Sequence, residues 1–366
     1  MSIGAYLRNS ERDNDLATVA QLADFDEVID TRSEAEFAED HIPGAVSCPV
    51  LNDAERARVG TIYKQVSAFE AKKVGAALVS RNIAHHMDTT FAQRPRNWRP
   101  LVYCWRGGSR SGALAHVLQQ VGWRAARLDG GYKTYRRAVI DDLEALPQRY
   151  QWCVVCGLTG SGKSRLLREL ARQGAQVLDL EALAAHRGSV LGNLPDAPQP
   201  AQKMFDSLVW SALRGYDRAQ PVFVEAESKK IGNLRVPQTL IAAMWESPCV
   251  RLAAPIELRV ALLMEEYRHF VADAKSLGVQ LDCLAAHYGL PQIAAWKALA
   301  DGGQWAALVR ELLETHYDPA YTRATLRNYP QLAAGDTLVA DANSDAEFAR
   351  VAVQCVASAA KKSRAR

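Results

Sequence analysis

The sequence predicts an α/β protein of two domains, each built on a parallel sheet with helices packed against it. Three observations carry this. The chain has 366 residues, more than one ordinary domain and about the length of two. Short apolar runs alternate with stretches of helical periodicity, the pattern of strands joined by helical crossovers. Two loops of small residues, 104–111 and 157–164, each directly follow an apolar run, where parallel sheets place their ligands.

Apolar residues make up 48% and charged residues 23%, the balance of an ordinary globular chain. The net charge of +3 neither demands a nucleic-acid partner nor excludes one, because a local basic face suffices. No apolar run approaches the roughly 18 residues of a membrane span, and residues 1–8 lack an apolar signal core. A cytoplasmic location without membrane association is therefore expected. The seven cysteines (Cys48, Cys104, Cys153, Cys156, Cys249, Cys283 and Cys355) are odd in number and scattered, which is not a disulfide framework. Cys153 and Cys156 lie in an apolar run read as a strand, where positions three apart face opposite ways. They are expected in the core rather than as a redox or metal pair. The histidines show no zinc-ligand spacing, and no metal site and no tightly bound cofactor are expected.

In chain order, 27–30 reads as a strand ending in an acid, followed by a helix capped by Ser33 with Glu36 in the capping-box position. His41-Ile-Pro-Gly-Ala45 is a turn into the next strand. Residues 52–99 read as a helical insertion rich in Arg and Lys. A strand at 101–103, a helix at 111–120 and a strand at 126–129 complete a first domain of residues 1–137. Residues 138–149 read as a linker helix. The second domain, 150–366, opens with a strand at 150–156, the second loop, a helix at 163–172 and a strand at 176–180. Strands follow at 221–225 and 249–252, then helices at 256–272, 281–288, 293–299 and 305–317. Leu338-Val-Ala closes the sheet, and a basic tail from Ala359 is expected to fray.

The loop Cys104-Trp-Arg106-Gly107-Gly108-Ser109-Arg110-Ser111 sets a thiol against backbone that can curl into an anion nest. Arg106 and Arg110 would depress the thiol pKa and neutralise an oxyanion. A thiolate so placed can take up sulfur or selenium, or attack phosphorus. The first domain resembles rhodanese through Val28-Ile-Asp30-Thr-Arg32-Ser33, Glu36-Phe37, His41-Ile-Pro-Gly-Ala45, the Cys104 loop and Leu128-Asp-Gly-Gly131. Arg110 and Ser111 fall six and seven residues after Cys104, one later than in many single-domain rhodaneses. The longer loop also fits the C-x5-R pattern of phosphatases and arsenate reductases, and a cradle wide enough for a tetrahedral anion.

The second loop, Gly157-Leu-Thr159-Gly160-Ser161-Gly162-Lys163-Ser164, matches the P-loop in full and lies between a strand and a helix, the context it requires. Its N–H groups and the helix N-terminus hold phosphate oxygens. Lys163 adds a charge, and Ser164 is placed to ligate Mg²⁺. Asp179 and Glu225 are the candidate acids for such a metal. Asp179 also reads as a helix N-cap, and Glu225 and Glu227 also read as solvated acids. The motif implies a diphosphate cradle without implying ATP turnover.

The two loops in this order resemble the tRNA 2-selenouridine synthase family. Further matching segments are Val59-Gly-Thr-Ile-Tyr63-Lys64-Gln65, Gly130-Gly-Tyr132-Lys133-x-Tyr135-Arg136, Leu178-Asp-Leu-Glu181-x-Leu-Ala-x-His186-Arg187-Gly188-Ser189, Glu225-Ala-Glu227-Ser228-Lys229-Lys230-Ile231-Gly232 and His316-Tyr-Asp-Pro319. The resemblance covers nearly the whole chain. It implies a transferase that converts wobble 2-thiouridine of tRNA to 2-selenouridine. The route implied is S-geranylation with geranyl diphosphate, then selenium transfer from selenophosphate, with a selenophosphate synthetase as a further candidate partner. Selenophosphate is expected at the Cys104 loop and geranyl diphosphate at the P-loop, its apolar groove unassigned. Candidate tRNA contacts are Lys229, Lys230, Arg235, Arg136, His186 and Arg187, with a second basic cluster at Arg94, Arg96, Trp98 and Arg99. The alternatives are a thiol phosphatase or arsenate reductase, or a plain sulfurtransferase, fused to a regulatory P-loop module.

Overall fold

Four consecutive residues with no exposed surface, Pro100–Tyr103, form the centre of the first sheet. Such a run is buried on both faces, as a strand in a parallel sheet must be. In the computed structural model, which describes residues 15–189 and 191–364, five strands build this sheet. They are β1 (Leu16–Ala17), β2 (Glu27–Asp30), β3 (Val46–Ser47), β4 (Pro100–Tyr103) and β5 (Ala126–Leu128), in the order β1-β5-β4-β2-β3. Every neighbouring pair is parallel. The signal-core reading of residues 1–8 lies outside the described residues.

Ser33 and Glu36 form the expected capping box on the helix Glu34–Glu39. The 52–99 insertion is a pair of helices, Asp53–Gln65 and Ala68–Asp88. Of the expected basic cluster beside the thiol strand, Arg96 and Arg99 are exposed, but the other two members are not free surface. Trp98 is 4% exposed and packs with Phe91 in the core, and Arg94 is ion-paired to Glu27 at 2.7 Å. The proposed linker helix is the second half of one longer helix, Gly131–Ala145, followed by a 3-10 turn at Pro147–Arg149. The chain divides into two compact units between Asp142 and Leu143, inside that helix.

The second sheet comprises β6 (Gln151–Cys156), β7 (Gln176–Leu178), β8 (Pro221–Glu225), β11 (Cys249–Ala253) and β12 (Asp336–Val339), in the order β12-β11-β6-β8-β7 and parallel throughout. A short antiparallel hairpin, β9 (Lys230–Ile231) with β10 (Leu234–Arg235), follows β8. Cys153 points toward Cys355 and Cys156 toward Cys249, on opposite faces of β6, and all four are buried free thiols. Between β11 and β12 the chain inserts a helical layer. The breaks expected there shift. One helix runs Ala274–Asp282, and the next, Ala285–Asp301, kinks at Gly289 just before Pro291. The basic tail does not fray at Ala359. It ends a helix, Asp345–Arg364, whose Val351, Ala352, Cys355 and Ala359 pack with Leu166, Leu167 and Leu170 of the helix Lys163–Arg172. Among the described residues, no helix is long and apolar enough to cross a membrane.

One ion pair holds the first sheet's ligand end. Arg32 donates to both carboxylate oxygens of Asp30 and, through Nη2, to the carbonyl of Asp40 at 2.6 Å, and its guanidinium lies 4.0 Å from the Tyr132 ring centre. Arg32 and Asp30 are essentially unexposed. Removing one partner of such a pair leaves an uncompensated buried charge, which costs about 3–5 kcal/mol. Arg32→Met is therefore expected to destabilise the first unit by that amount in urea unfolding. A loss under about 1 kcal/mol would show that the pair contributes little.

Candidate active site

The thiol loop starts where β4 ends. Cys104 is 4% exposed and receives a hydrogen bond from the Ser111 hydroxyl at 3.2 Å. Its carbonyl accepts the Tyr132 N–H at 2.8 Å, and the Trp105 carbonyl accepts that of Lys133 at 3.0 Å. These bonds tie the loop to the Gly130-Gly131 turn. Gly131 has φ +60°, and a Cβ there would lie 2.3 Å from the Cys104 oxygen and 2.5 Å from the Gly107 nitrogen, so only glycine fits. Gly108 caps the helix Ser109–Val121, whose first residue is Ser109.

Burial alone would raise the Cys104 thiol. The Ser111 hydroxyl, the Ser111 and Arg106 backbone N–H groups and the Arg110 charge outweigh it, and the thiol lies below its ordinary value. This corrects the expected division of labour. The Arg106 side chain is exposed, and its contribution is its backbone. Arg110 is paired to Glu36 at 2.9 Å, which places that carboxylate beside the loop. Burial would raise Glu36, but Arg110 more than compensates and holds it below the usual carboxylate range.

The phosphate loop follows β6. Lys163 Nζ donates to the Gly157 carbonyl at 2.8 Å, and the Gly157 N–H donates to the Tyr321 hydroxyl, also at 2.8 Å. Arg259 braces the loop from behind, donating to the Thr159 carbonyl at 2.9 Å while pairing with Asp318. Gly160 and Gly162 take positive φ, and Ser161 is buried between them. Ser164 donates to Glu181 at 3.2 Å. A cavity of about 620 Å³ opens over Lys163 and Ser164. His186 and Arg187 line it, as does the carboxyl-bearing wall formed by Asp179, Glu181, Glu227 and Glu266.

Those acids were read only partly from sequence. Asp179 accepts the Ala182 N–H at 2.8 Å as the N-cap of the helix Leu180–Leu183. Glu225 is fully buried and supports Glu181 by accepting its N–H at 3.0 Å, so it is neither solvated nor on the cavity wall. Glu227 is buried as well. Glu181 and Glu227 converge above Gly188, where a Cβ would sit 2.8 Å from one carboxylate and 3.0 Å from the other. Burial, then mutual repulsion, drives Glu225 and Glu227 well above the ordinary carboxylate range, and burial likewise raises Asp179, Glu181 and Glu266. Lys163 loses by burial and gains more from Tyr321 and the acids, which keeps it charged. The Ser164 hydroxyl and the Glu181 carboxylate are hard oxygen donors of the kind that share Mg²⁺ with a phosphate. Among the described residues, no three His, Cys, Asp or Glu side chains form a metal site of their own.

Residues 15–138 match the family model described as "Rhodanese-like domain", and residues 150–283 the one described as "tRNA 2-selenouridine synthase AAA domain". A relative from Nitrosomonas europaea named tRNA 2-selenouridine synthase is 34% identical over 268 residues, covering 71% of this chain and 68% of its own. One of the same name from Bdellovibrio bacteriovorus is 36% identical over 271 residues, covering 70% and 68%. The chain belongs to the tRNA 2-selenouridine synthase family.

Within this family member, the candidate contacts separate. Lys229, Lys230 and Arg235 sit exposed on and beside the β9–β10 hairpin and do not line the cavity; Lys229 lies over Trp245 instead. Arg136 reaches toward Asp40 at 3.9 Å in the first unit. His186 is 4% exposed, and Arg187 donates to the Glu266 carbonyl and covers Tyr267. Glu181, Glu266, Tyr321 and Tyr329 also line the cavity. Only Glu181 among these fell in a segment singled out from sequence.

A depressed thiol pKa makes the thiolate, and hence alkylation, available at lower pH. Ser111→Ala removes the largest stabilising hydrogen bond and is expected to shift the pH midpoint of Cys104 alkylation upward. The measurement uses iodoacetamide in a Cys283→Ser background, because Cys283 is the exposed cysteine and would react first. An unchanged midpoint would assign the shift to the backbone and Arg110 instead.

Proposed function

We propose that this protein converts wobble 2-thiouridine of tRNA to 2-selenouridine by geranylation and then selenium transfer, with the phosphate loop serving geranyl diphosphate and the Cys104 loop serving selenophosphate. The observation that carries the reading is a second, almost wholly apolar cavity that shares five wall residues with the phosphate-loop cavity: Thr159, Ser189, Leu263, Tyr267 and Tyr317. Its inner wall includes Leu191, Phe270, Leu277, Trp305 and Leu308. A phosphate cradle that shares walls with an apolar recess fits a ligand with a diphosphate head and a hydrocarbon tail. A nucleotide, with its polar ribose, would leave that recess unfilled.

The chemistry suits these residues. The uridine sulfur bonds to the allylic carbon as diphosphate leaves, and the ring N3 gives up its proton. Lys163, the loop N–H groups and the helix N-terminus stabilise the departing diphosphate charge. Ser164 and Glu181 would hold a Mg²⁺, whose charge would offset that of the diphosphate. The crowded carboxylates of Glu181 and Glu227 above Gly188, made more basic by burial, would accept the N3 proton. In the second step selenium bonds to ring carbon 2, geranyl thiol leaves carrying the selenophosphate proton, the phosphoryl group passes to water, and the proton that water releases returns to N3. The Cys104 nest, with its inward N–H groups, suits a tetrahedral anion.

The protein is incubated with 2-thiouridine tRNA, geranyl diphosphate and selenophosphate, and the digested nucleosides are weighed. Lys163→Ala is expected to abolish both products from thiouridine. Cys104→Ala is expected to let the geranylated nucleoside accumulate without selenation. Val309→Trp, which narrows the apolar cavity, is expected to raise the KM for geranyl diphosphate about tenfold or more, while inhibition by inorganic diphosphate stays unchanged. Selenation surviving in Cys104→Ala while geranylation is lost would overturn the assignment of the two sites.

A further inference from the structure

The helix Asp53–Gln65 buries no residue at all. It leans on the helix Ala68–Asp88, where a Cβ at Gly75 would meet the Val59 side chain at 3.5 Å. The motif Val59-Gly-Thr-Ile-Tyr63-Lys64-Gln65 within it has no part in either anion site. Around the turn that joins the two helices stand three large apolar side chains, Tyr63, Val66 and Phe69, which are 61%, 70% and 72% exposed. Single exposed apolar residues are ordinary, but three within seven positions at one turn are a patch. Packing does not account for them, since the hairpin is already closed by Val59 and by the Ser67 cap on Glu70.

The surrounding charge identifies what would cover the patch. Lys73 is held by Glu70 and Arg56 by Glu36. Arg58, Lys64 and Lys72 remain exposed around the tip. Gly60 lies one helical turn before Tyr63 and Lys64 on the same face, and nothing stands within 4 Å of where its Cβ would be. The surface thus presents aromatic rings, a bare stretch of backbone with room for a planar group, and cations at its rim. Rings flanked by lysine and arginine are how proteins grip unpaired nucleotides, with bases stacked on the rings and phosphates met by the charges. A protein partner for so basic a rim would have to supply matching acids.

We infer that the tip of this helical hairpin is a stacking finger for unpaired nucleotides of the substrate RNA, with Tyr63 and Phe69 as platforms and Arg58, Lys64 and Lys72 as phosphate contacts. The inference rests on the tRNA substrate proposed above and adds a binding surface remote in sequence from both anion loops. It also gives the helical insertion a task, which the 52–99 segment lacks in the chemistry of either loop.

The test is equilibrium binding of the full-length protein to a fluorescently labelled tRNA transcript, and to its isolated anticodon stem-loop, over a range of salt concentrations. Tyr63→Ala and Phe69→Ala are each expected to weaken binding about tenfold, with Tyr63→Phe retaining affinity because the ring remains. Lys64→Gln is expected to lower the slope of log Kd against log salt by about one. None of these side chains is buried, so thermal unfolding of the variants serves as the fold control. Wild-type binding with a Tyr63→Ala, Phe69→Ala double variant of equal affinity would overturn the finger and leave the proposed reaction standing. A double variant that dissolves a wild-type dimer in sedimentation, at unchanged RNA affinity, would assign the patch to a second copy and overturn it equally. No tRNA binding by the wild type would overturn the finger and the proposed reaction together.

Discussion

Both anion sites depend on one constraint. Backbone N–H groups must be aimed at a single point, and the carboxyl end of a central strand in a parallel sheet is where a chain can do this at little cost. β4 lies between β5 and β2, and β6 between β11 and β8, so each loop leaves its sheet where neighbours on both sides fix its start. The two loops then differ in how they are held. The Cys104 loop is pinned by close backbone contact with Gly130-Gly131, and the phosphate loop by side chains that reach it from the helical layer, Arg259 and Tyr321.

Buried charge is handled differently in the two units. In the first, Arg32 satisfies Asp30 and the Asp40 carbonyl, and Tyr132 donates to Asp40 at 2.7 Å, which completes a network beneath the loop. Such a network rigidifies what it supports. In the second, one lysine faces several buried acids that repel one another and whose pKa values burial raises. That arrangement is a poor one for stability and a useful one for proton transfer or for a cation, in keeping with the strain that functional sites tolerate. The apolar recess beside it gives the site its amphiphilic character.

Much of this was legible in the chain. The capping box at Ser33 and Glu36, the strands around Val102 and Val154, and both loops were readable because their signals are local: continuous apolar runs, glycine spacing, a cap three residues from its partner. The acids were not. Glu225 reads as a strand end that could face water, yet it lies beneath Glu181; Asp179, read as a metal ligand or a cap, caps a helix and also lines the cavity. Trp98 and Arg94 read as a basic, aromatic surface and are core and ion pair. Each error has the same source. Burial is set by what packs from elsewhere in the chain, and no local pattern records it.

The sequence by itself determined the α/β class, the two-sheet plan and the identity of the thiol and phosphate loops, because those follow from periodicity and from the steric demands of glycine at tight turns. Tertiary structure decided the rest: which acids face Lys163, that Arg106 serves the thiol through its backbone, and that an apolar recess, lined mostly by helices between 256 and 317, shares walls with the phosphate-loop cavity. The acid cluster and the recess depend on residues from separate elements meeting at one point, and such meetings arise only when the two layers of a folded unit close on each other.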